Sequence, residues 1–292
     1  MAHGRKGTEP DGVGDGDAAR GPLHLGREPK ILADAFARDL TGFASDQELL
    51  DELHRIRAAD GRMDPTKMRA FFALRSRYAE DELEAATERG IPNYVILGAG
   101  LDSFAFRRPE MMRKLDVYEV AHPASQTWKC ERLAELSLEL PPTLHFVPVD
   151  FERQTLAEGL SAGGLARGTV AFFSWLGVTQ YLTAEAVLKT FGEIASFAGS
   201  GSELVVQFVL PPATLYGADH ALVEALAARS AEVGEPWLSF FEPGVLEGHL
   251  KERRFRLISH FGPEEAFERY LRGRADGLSL PGYFSFIKAE VA

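Results

Sequence analysis

The chain has 292 residues, 45% of them hydrophobic, enough to bury a sizeable core in one large domain or two small ones. Its 43 acidic and 32 basic residues leave a net charge of -11, and no Lys/Arg run is long enough to track a phosphate backbone, which argues against nucleic acid as a partner. A single cysteine, Cys130, excludes an intramolecular disulfide framework and a Cys-rich zinc site; no apolar stretch is long enough for a signal peptide or membrane span, so the expected setting is cytoplasmic, away from membranes.

Residues 1 to about 28 are rich in Gly, Asp and Pro with almost nothing to bury, and are expected to be disordered. The remainder, 29–292, reads as one domain. Apolar residues recur at helical spacing from Leu32 to Ala59, and more strongly from Pro65 to Arg89, where Met68, Phe71, Phe72, Leu74, Tyr78 and Leu83 fall along the pattern. Gly90 closes that second helix. Short apolar runs follow at 93–98, 116–120, 145–149, 170–175 and 204–210, alternating with helical stretches at 124–137, 153–161 and 183–197. Strands apolar on both faces and separated by helices predict a parallel sheet covered on both sides. Helices at 218–232 and 243–252 precede two late strands, 255–262 and 283–291, which suit an antiparallel edge.

The first of these strands runs into NYVILGAGLDSFAFR, which puts Gly98 and Gly100 where a buried strand hands over to a helix. Glycine there permits a tight turn and a close approach of ligand to main chain, and strand C-termini are where open parallel sheets bind ligands. A dinucleotide fingerprint needs a third glycine, but that position is Ser103, which disfavours a dinucleotide-dependent oxidoreductase. The acid that grips a ribose diol is expected about twenty residues on, at the tip of DVYEV; Glu119 and position 121 share a strand parity and can face the same way. The eight histidines form no HExxH, HxH or Cys/His cluster at ligand spacing, and no metal is expected.

The stretches VILGAGLDSFAFR, YEVAHPASQTWKCERLAE, FVPVDFERQ, FFSWLGVTQYLT and EPWLSFFEPGVLEGHL, in this order, resemble the leucine carboxyl methyltransferase-like (Ppm-type) family of class I S-adenosylmethionine-dependent methyltransferases over roughly residues 30 to 290. The resemblance implies a Rossmann-like α/β fold, a seven-stranded mostly parallel sheet with helices on both faces and an N-terminal helical cap, here 29–90 before a core at 91–292. It implies S-adenosyl-L-methionine as cofactor and a small-molecule substrate, and it leaves the oligomeric state open.

Carried onto this sequence, the resemblance sets Arg75 against a cofactor carboxylate and Gly98, Ala99 and Gly100 beneath the methionine portion. Asp102 orients the amino group through water or caps the following helix. Asp150 and Phe151 meet adenine, with a helix N-cap as the other reading of Asp150. Trp175 and Leu176 floor the site around the sulfonium, and Gln180 and Tyr181 lie near the substrate mouth. Arg107 and Arg108 either attract an anionic substrate or are solvated.

At 119–123 the family reads Glu-Val-Asp, a polar residue and Pro, and its aspartate holds the ribose hydroxyls. Here that position is Ala121. A charge-assisted hydrogen bond is worth about 1.5–3 kcal/mol, so the missing carboxylate should weaken cofactor binding by at least ~10- to 100-fold. Three explanations stand: Glu119 reaches a shifted ribose, Ala121 disables the site, or the pocket serves another ligand. Low-ranked candidates for acid/base chemistry are His122, an imidazole at a strand's C-terminal end, and Tyr181.

The resulting expectation is an O-methyltransferase acting on a carboxylate or on a hydroxyl of a secondary metabolite. The alternative is a repurposed member with weakened or lost cofactor binding that cyclises, eliminates or only binds.

Overall fold

The computed structural model describes residues 30–42, 45, 48, 65–150 and 153–292. The expected disorder of residues 1–28 therefore lies outside the described residues, as does most of the second half of the expected 32–59 helix; within that stretch α1 spans Ala37–Thr41. Helix α2, Pro65–Glu88, ends as its pattern demands: Gly90 takes φ +95° and donates to the Thr87 carbonyl (2.9 Å), while Ile91 donates to Ala86 (3.1 Å). A left-handed glycine with these two bonds satisfies the last carbonyls of the helix.

Then the alternation begins. Strands β1 (Asn93–Leu97), β2 (Asp116–Ala121), β3 (Leu144–Pro148), β4 (Phe172–Trp175) and β5 (Glu203–Val209) form a parallel array. They are connected by short helices α3 (Phe104–Arg107) and α4 (Pro109–Met112), then by α5 (Pro123–Glu135), α6 (Leu156–Ala162) and α7 (Ala184–Phe197). Helices α8 (Gly217–Glu232) and α9 (Pro243–Glu252) lead to β6 (Phe255–Phe261) and β7 (Phe284–Val291), and β7 runs antiparallel between β5 and β6. The seven strands lie in the order β3-β2-β1-β4-β5-β7-β6. Each apolar run singled out in the sequence is a strand. β1, β4 and β5 are buried along their whole length, whereas the edge strand β6 alternates buried and open positions.

Side-chain parity divides the core into two layers. On one face Tyr94, Ile96, Phe172, Val205 and Phe286 pack against Phe71, Leu74, Tyr78 and Leu83 of α2, with Tyr78 stacked 3.9 Å from Phe261. On the other, Val95, Leu97, Val120, Phe173 and Val206 meet Leu160, Phe191 and Ile194 of α6 and α7 and Leu246 of α9. Helix α2 is thus a sheet-covering layer directly continuous with β1. Among the described residues, no helix is long and apolar enough to cross a membrane. The strand order reverses between β1 and β4, and the crevice at such a switch point, beyond the strand C-termini, is where ligands bind in open α/β sheets.

Candidate active site

β1 delivers the chain to this crevice through Gly98 (φ +72°) and Gly100 (φ +47°). The Gly98 and Ala99 amides both donate to the Val120 carbonyl (2.9 and 3.0 Å), tying the turn to the end of β2. Gly98 is required for space as well as for conformation: a Cβ there would lie 2.4 Å from Val178 Cγ2. Asp102 Oδ1 accepts from the amide of Phe104 (2.7 Å), the first residue of α3, whose N-cap is Ser103.

Ala121, 7% exposed, ends β2 opposite Pro148 and offers a methyl group and no carboxylate. Two residues back on the same face, Glu119 is 1% exposed and its Oε2 accepts from Lys129 Nζ (2.5 Å). The same ammonium donates to the Asp102 carbonyl (2.6 Å), so one buried cation joins β2, α5 and the glycine turn. Gln126 Nε2 adds a bond to the Glu119 carbonyl (3.0 Å). Burial pushes the Glu119 carboxyl above the usual carboxylate range, against the pull of Lys129. Glu119 Oε1 is buried without a hydrogen-bond partner, on the strand face that Ala121 shares.

Two strands from β1 on the same side of the switch point, Asp150 follows β3 with its side chain 24% exposed and Oδ2 3.4 Å from Arg153 Nε. It does not cap α6. Thr155 does, in a reciprocal pair: Glu158 donates its amide to Thr155 Oγ1 (3.2 Å) and accepts from the Thr155 amide (2.7 Å). Phe151 lies outside the described residues.

Trp175, 3% exposed, sits edge-on to Phe191 at 5.6 Å; its place on β4 gives it the parity of Phe173, so its indole packs in the core layer on the α7 face. Leu176, the next residue, packs half-buried on the α2 face instead. His122 is the N-cap of α5, its Nδ1 accepting from the Ala124 amide (3.3 Å), which is the ordinary work of a residue before a helix-opening proline. Arg107 and Arg108 are not a reception surface for anions. Arg107, 5% exposed, pairs with Glu80 (2.8 Å) and bonds Ser103 Oγ (2.8 Å), and Arg108 reaches the other Glu80 oxygen (3.0 Å). Burial opposes the Arg107 charge, but Glu80 outweighs it and holds the guanidinium above its ordinary range. Arg75 lies on α2 with its guanidinium 4.9 Å from the Phe72 ring. Tyr181 is half-buried in the short 3-10 turn Thr179–Tyr181.

Lys129, Gln126 and Val178 were not among the residues singled out from the sequence. The one signal for the first two is their spacing: 126, 129 and 133 share the buried face of α5. Among the described residues, no three His, Cys, Asp or Glu side chains gather as a metal site.

Strand order, glycine turn and switch-point crevice together define a Rossmann-like methyltransferase fold. Two solved structures share it: a DUF574 family protein from Streptomyces avermitilis (TM-score 0.60, 12% identity, 95% of this chain and 97% of that one) and a structure from Thermobifida fusca titled as a methyltransferase (TM-score 0.59, 18% identity, 94% and 93%). In sequence, residues 17–195 match the family described as leucine carboxyl methyltransferase. YktD of Bacillus subtilis, which carries the name of an S-adenosyl-L-methionine-dependent methyltransferase, is 35% identical over 217 residues, 74% of this chain and 70% of its own length. A similarly named protein of Mycobacterium avium is 34% identical over 139 residues, 47% of this chain and 44% of its own. The chain belongs to the leucine carboxyl methyltransferase family and is a methyltransferase.

Proposed function

We propose that the chain binds S-adenosyl-L-methionine across the crevice between β1 and β4 and methylates an oxygen, carboxylate or hydroxyl, of a small molecule. The observation that carries this is the Gly98 turn, held in a left-handed backbone (φ +72°) at the switch point and tied to the end of β2, with Asp150 at the C-terminal end of β3 on the same edge of the sheet. When bound, S-adenosyl-L-methionine supplies a methyl group already activated on a sulfonium, so the protein's task is proximity and orientation more than proton transfer.

Each residue then has a physical task. Gly98, Ala99 and Gly100 let the main chain approach the methionine portion. Asp150 accepts from the adenine amine. Glu119 Oε1, unpartnered on the strand face that Ala121 shares, is the carboxylate oxygen left to take a ribose hydroxyl, while Lys129 holds its other oxygen.

Thermal melting with S-adenosylhomocysteine tests this reading. At about 100 times Kd the ligand adds ~2.7 kcal/mol, which should raise Tm by about 5–10 °C for a chain of this size. Asp150→Ala should lower affinity by about 10- to 100-fold, the value of one charge-assisted bond, and remove from about half to most of the shift at the same ligand concentration. An unchanged Tm for the unmodified chain at millimolar ligand would refute the proposal.

A further inference from the structure

Ser103 occupies the N-cap position of α3, yet its side chain makes no capping bond. A serine there ordinarily bonds the free amides of its own helix. Asp102 takes the Phe104 amide instead, and Ser103, 4% exposed, turns its hydroxyl to a partner 69 residues away. Its Oγ donates to Asp34 Oδ2 (2.5 Å) and accepts from Arg107 Nε (2.8 Å), which itself lies 3.3 Å from the same Asp34 oxygen. The other Asp34 oxygen accepts from the Phe36 and Ala37 amides (3.0 and 2.9 Å) and so turns the chain into α1. The Asp34 side chain is 12% and that of Arg107 5% exposed, which makes this a largely buried, charge-assisted junction. The same segment is fastened at two further points: Arg132 of α5 donates Nε to the Asp39 carbonyl (2.7 Å), and Arg77 of α2 reaches the Ile31 carbonyl (3.4 Å). Phe36 meets Phe106 of α3 with ring centroids 5.9 Å apart, and Ile31, Leu32, Ala37 and Leu40 are buried.

Residues 31–41 are thus a strap fastened to α3 and α5, the helices that follow β1 and β2 beyond the crevice. The glycine turn runs directly into Ser103, so it is held at two adjacent residues: Lys129 of α5 binds the Asp102 carbonyl, and Asp34 of the strap binds the Ser103 hydroxyl. A ligand seated on the turn favours the turn's ordered conformation, which is the one that presents Ser103 to Asp34. A docked strap favours that same conformation before any ligand arrives, so each stabilises the other. On the reading that S-adenosyl-L-methionine occupies the crevice, we propose that the strap is coupled to cofactor binding, with the Asp34–Ser103 bond as its latch. Occupation of the turn tightens the strap, and loss of the latch loosens the cofactor. Asp34 is a positioning residue, acting on the turn through Ser103. The position where a dinucleotide fingerprint would carry its third glycine carries the latch hydroxyl instead.

Hydrogen exchange of the full chain reads the strap directly, because the Phe36 and Ala37 amides are bonded to Asp34 itself. Saturating S-adenosylhomocysteine should slow exchange across residues 31–41 by at least about fivefold. Asp34→Asn keeps an oxygen for those two amides and loses the acceptor facing Ser103; it should weaken S-adenosylhomocysteine by a comparable factor, since coupling is reciprocal. Ser103→Ala breaks the same bond from the turn's side and serves as the second variant should Asp34→Asn fail to fold. The double variant should bind no more weakly than either single one, as expected of two residues that act through one contact. A merely structural strap would lower Tm in these variants while leaving the ligand's affinity and the ligand-dependent protection as they are. Protection that ignores S-adenosylhomocysteine, affinity unchanged in both variants, or losses that simply add would overturn the proposal. Failure of the unmodified chain to bind S-adenosylhomocysteine would overturn the methyltransferase reading and the coupling with it, whereas binding without a change in protection overturns the coupling alone.

Discussion

Lys129→Met should destabilise the protein by about 3–5 kcal/mol at neutral pH, the usual consequence of removing one partner from a buried ion pair. Lys129 and Glu119 are each 1% exposed and 2.5 Å apart, and the ammonium also satisfies the Asp102 carbonyl. Without the cation, Glu119 must either carry an uncompensated charge in the core or take up a proton. Its pKa, already raised by burial, rises further. A carboxyl whose folded-state pKa exceeds its unfolded one contributes stability in full below the ordinary carboxylate range and loses it as pH rises through the folded value. The cost of Lys129→Met should therefore shrink toward pH 4 and grow toward pH 8. Adding Glu119→Gln should recover most of the loss at neutral pH, because the buried charge is gone. Denaturant unfolding of both single variants and the double variant across pH measures this; a cost independent of pH, or no recovery in the double variant, would contradict the pairing.

Gly98→Val should cost about 2–5 kcal/mol of stability and reduce S-adenosylhomocysteine binding more than tenfold. Two independent penalties act at this position. The left-handed backbone, φ +72°, costs a branched L-residue about 1–2 kcal/mol or more. The new Cβ meets Val178 Cγ2 at 2.4 Å, and overpacking typically costs about 1–3 kcal/mol. Adding Val178→Ala relieves only the second, so it should restore part of the stability and little of the binding, since the turn remains strained. Full recovery of both would show that Gly98 matters for packing alone.

The strands were legible in the sequence because four of the central ones are buried along nearly their whole length and so read as unbroken apolar runs. That same continuity hid the facing of Trp175: FFSW carries no alternation, so only the register, Trp175 beside Leu97 and Val206, reveals which layer its indole joins. The glycine turn and the alanine at the β2 tip are local features, visible in a few consecutive letters. The ion pairs are not local. Lys129 lies 10 residues from Glu119 and Arg107 lies 27 from Glu80, and the packing of α5 on β2 and of α3 on α2 selects those partners. His122 and Asp150 show the converse, since capping residues and ligand-binding candidates look alike in sequence; hydrogen bonds give the caps of α5 and α6 to His122 and Thr155, and the Asp150 carboxylate lies 3.4 Å from Arg153.

The β2 tip decides whether this crevice is a nucleoside site. Ala121 is 7% exposed and shares a face with Glu119, whose Oε1 has no partner. The direct measurement is calorimetric titration of the unmodified chain and of Ala121→Asp with S-adenosyl-L-methionine and S-adenosylhomocysteine. Binding by the unmodified chain, tightened by about 10- to 100-fold when the aspartate adds its charge-assisted bonds to the ribose, is the expected result. Unchanged or weakened binding by Ala121→Asp would contradict it, and would mean that no ribose lies at the end of β2.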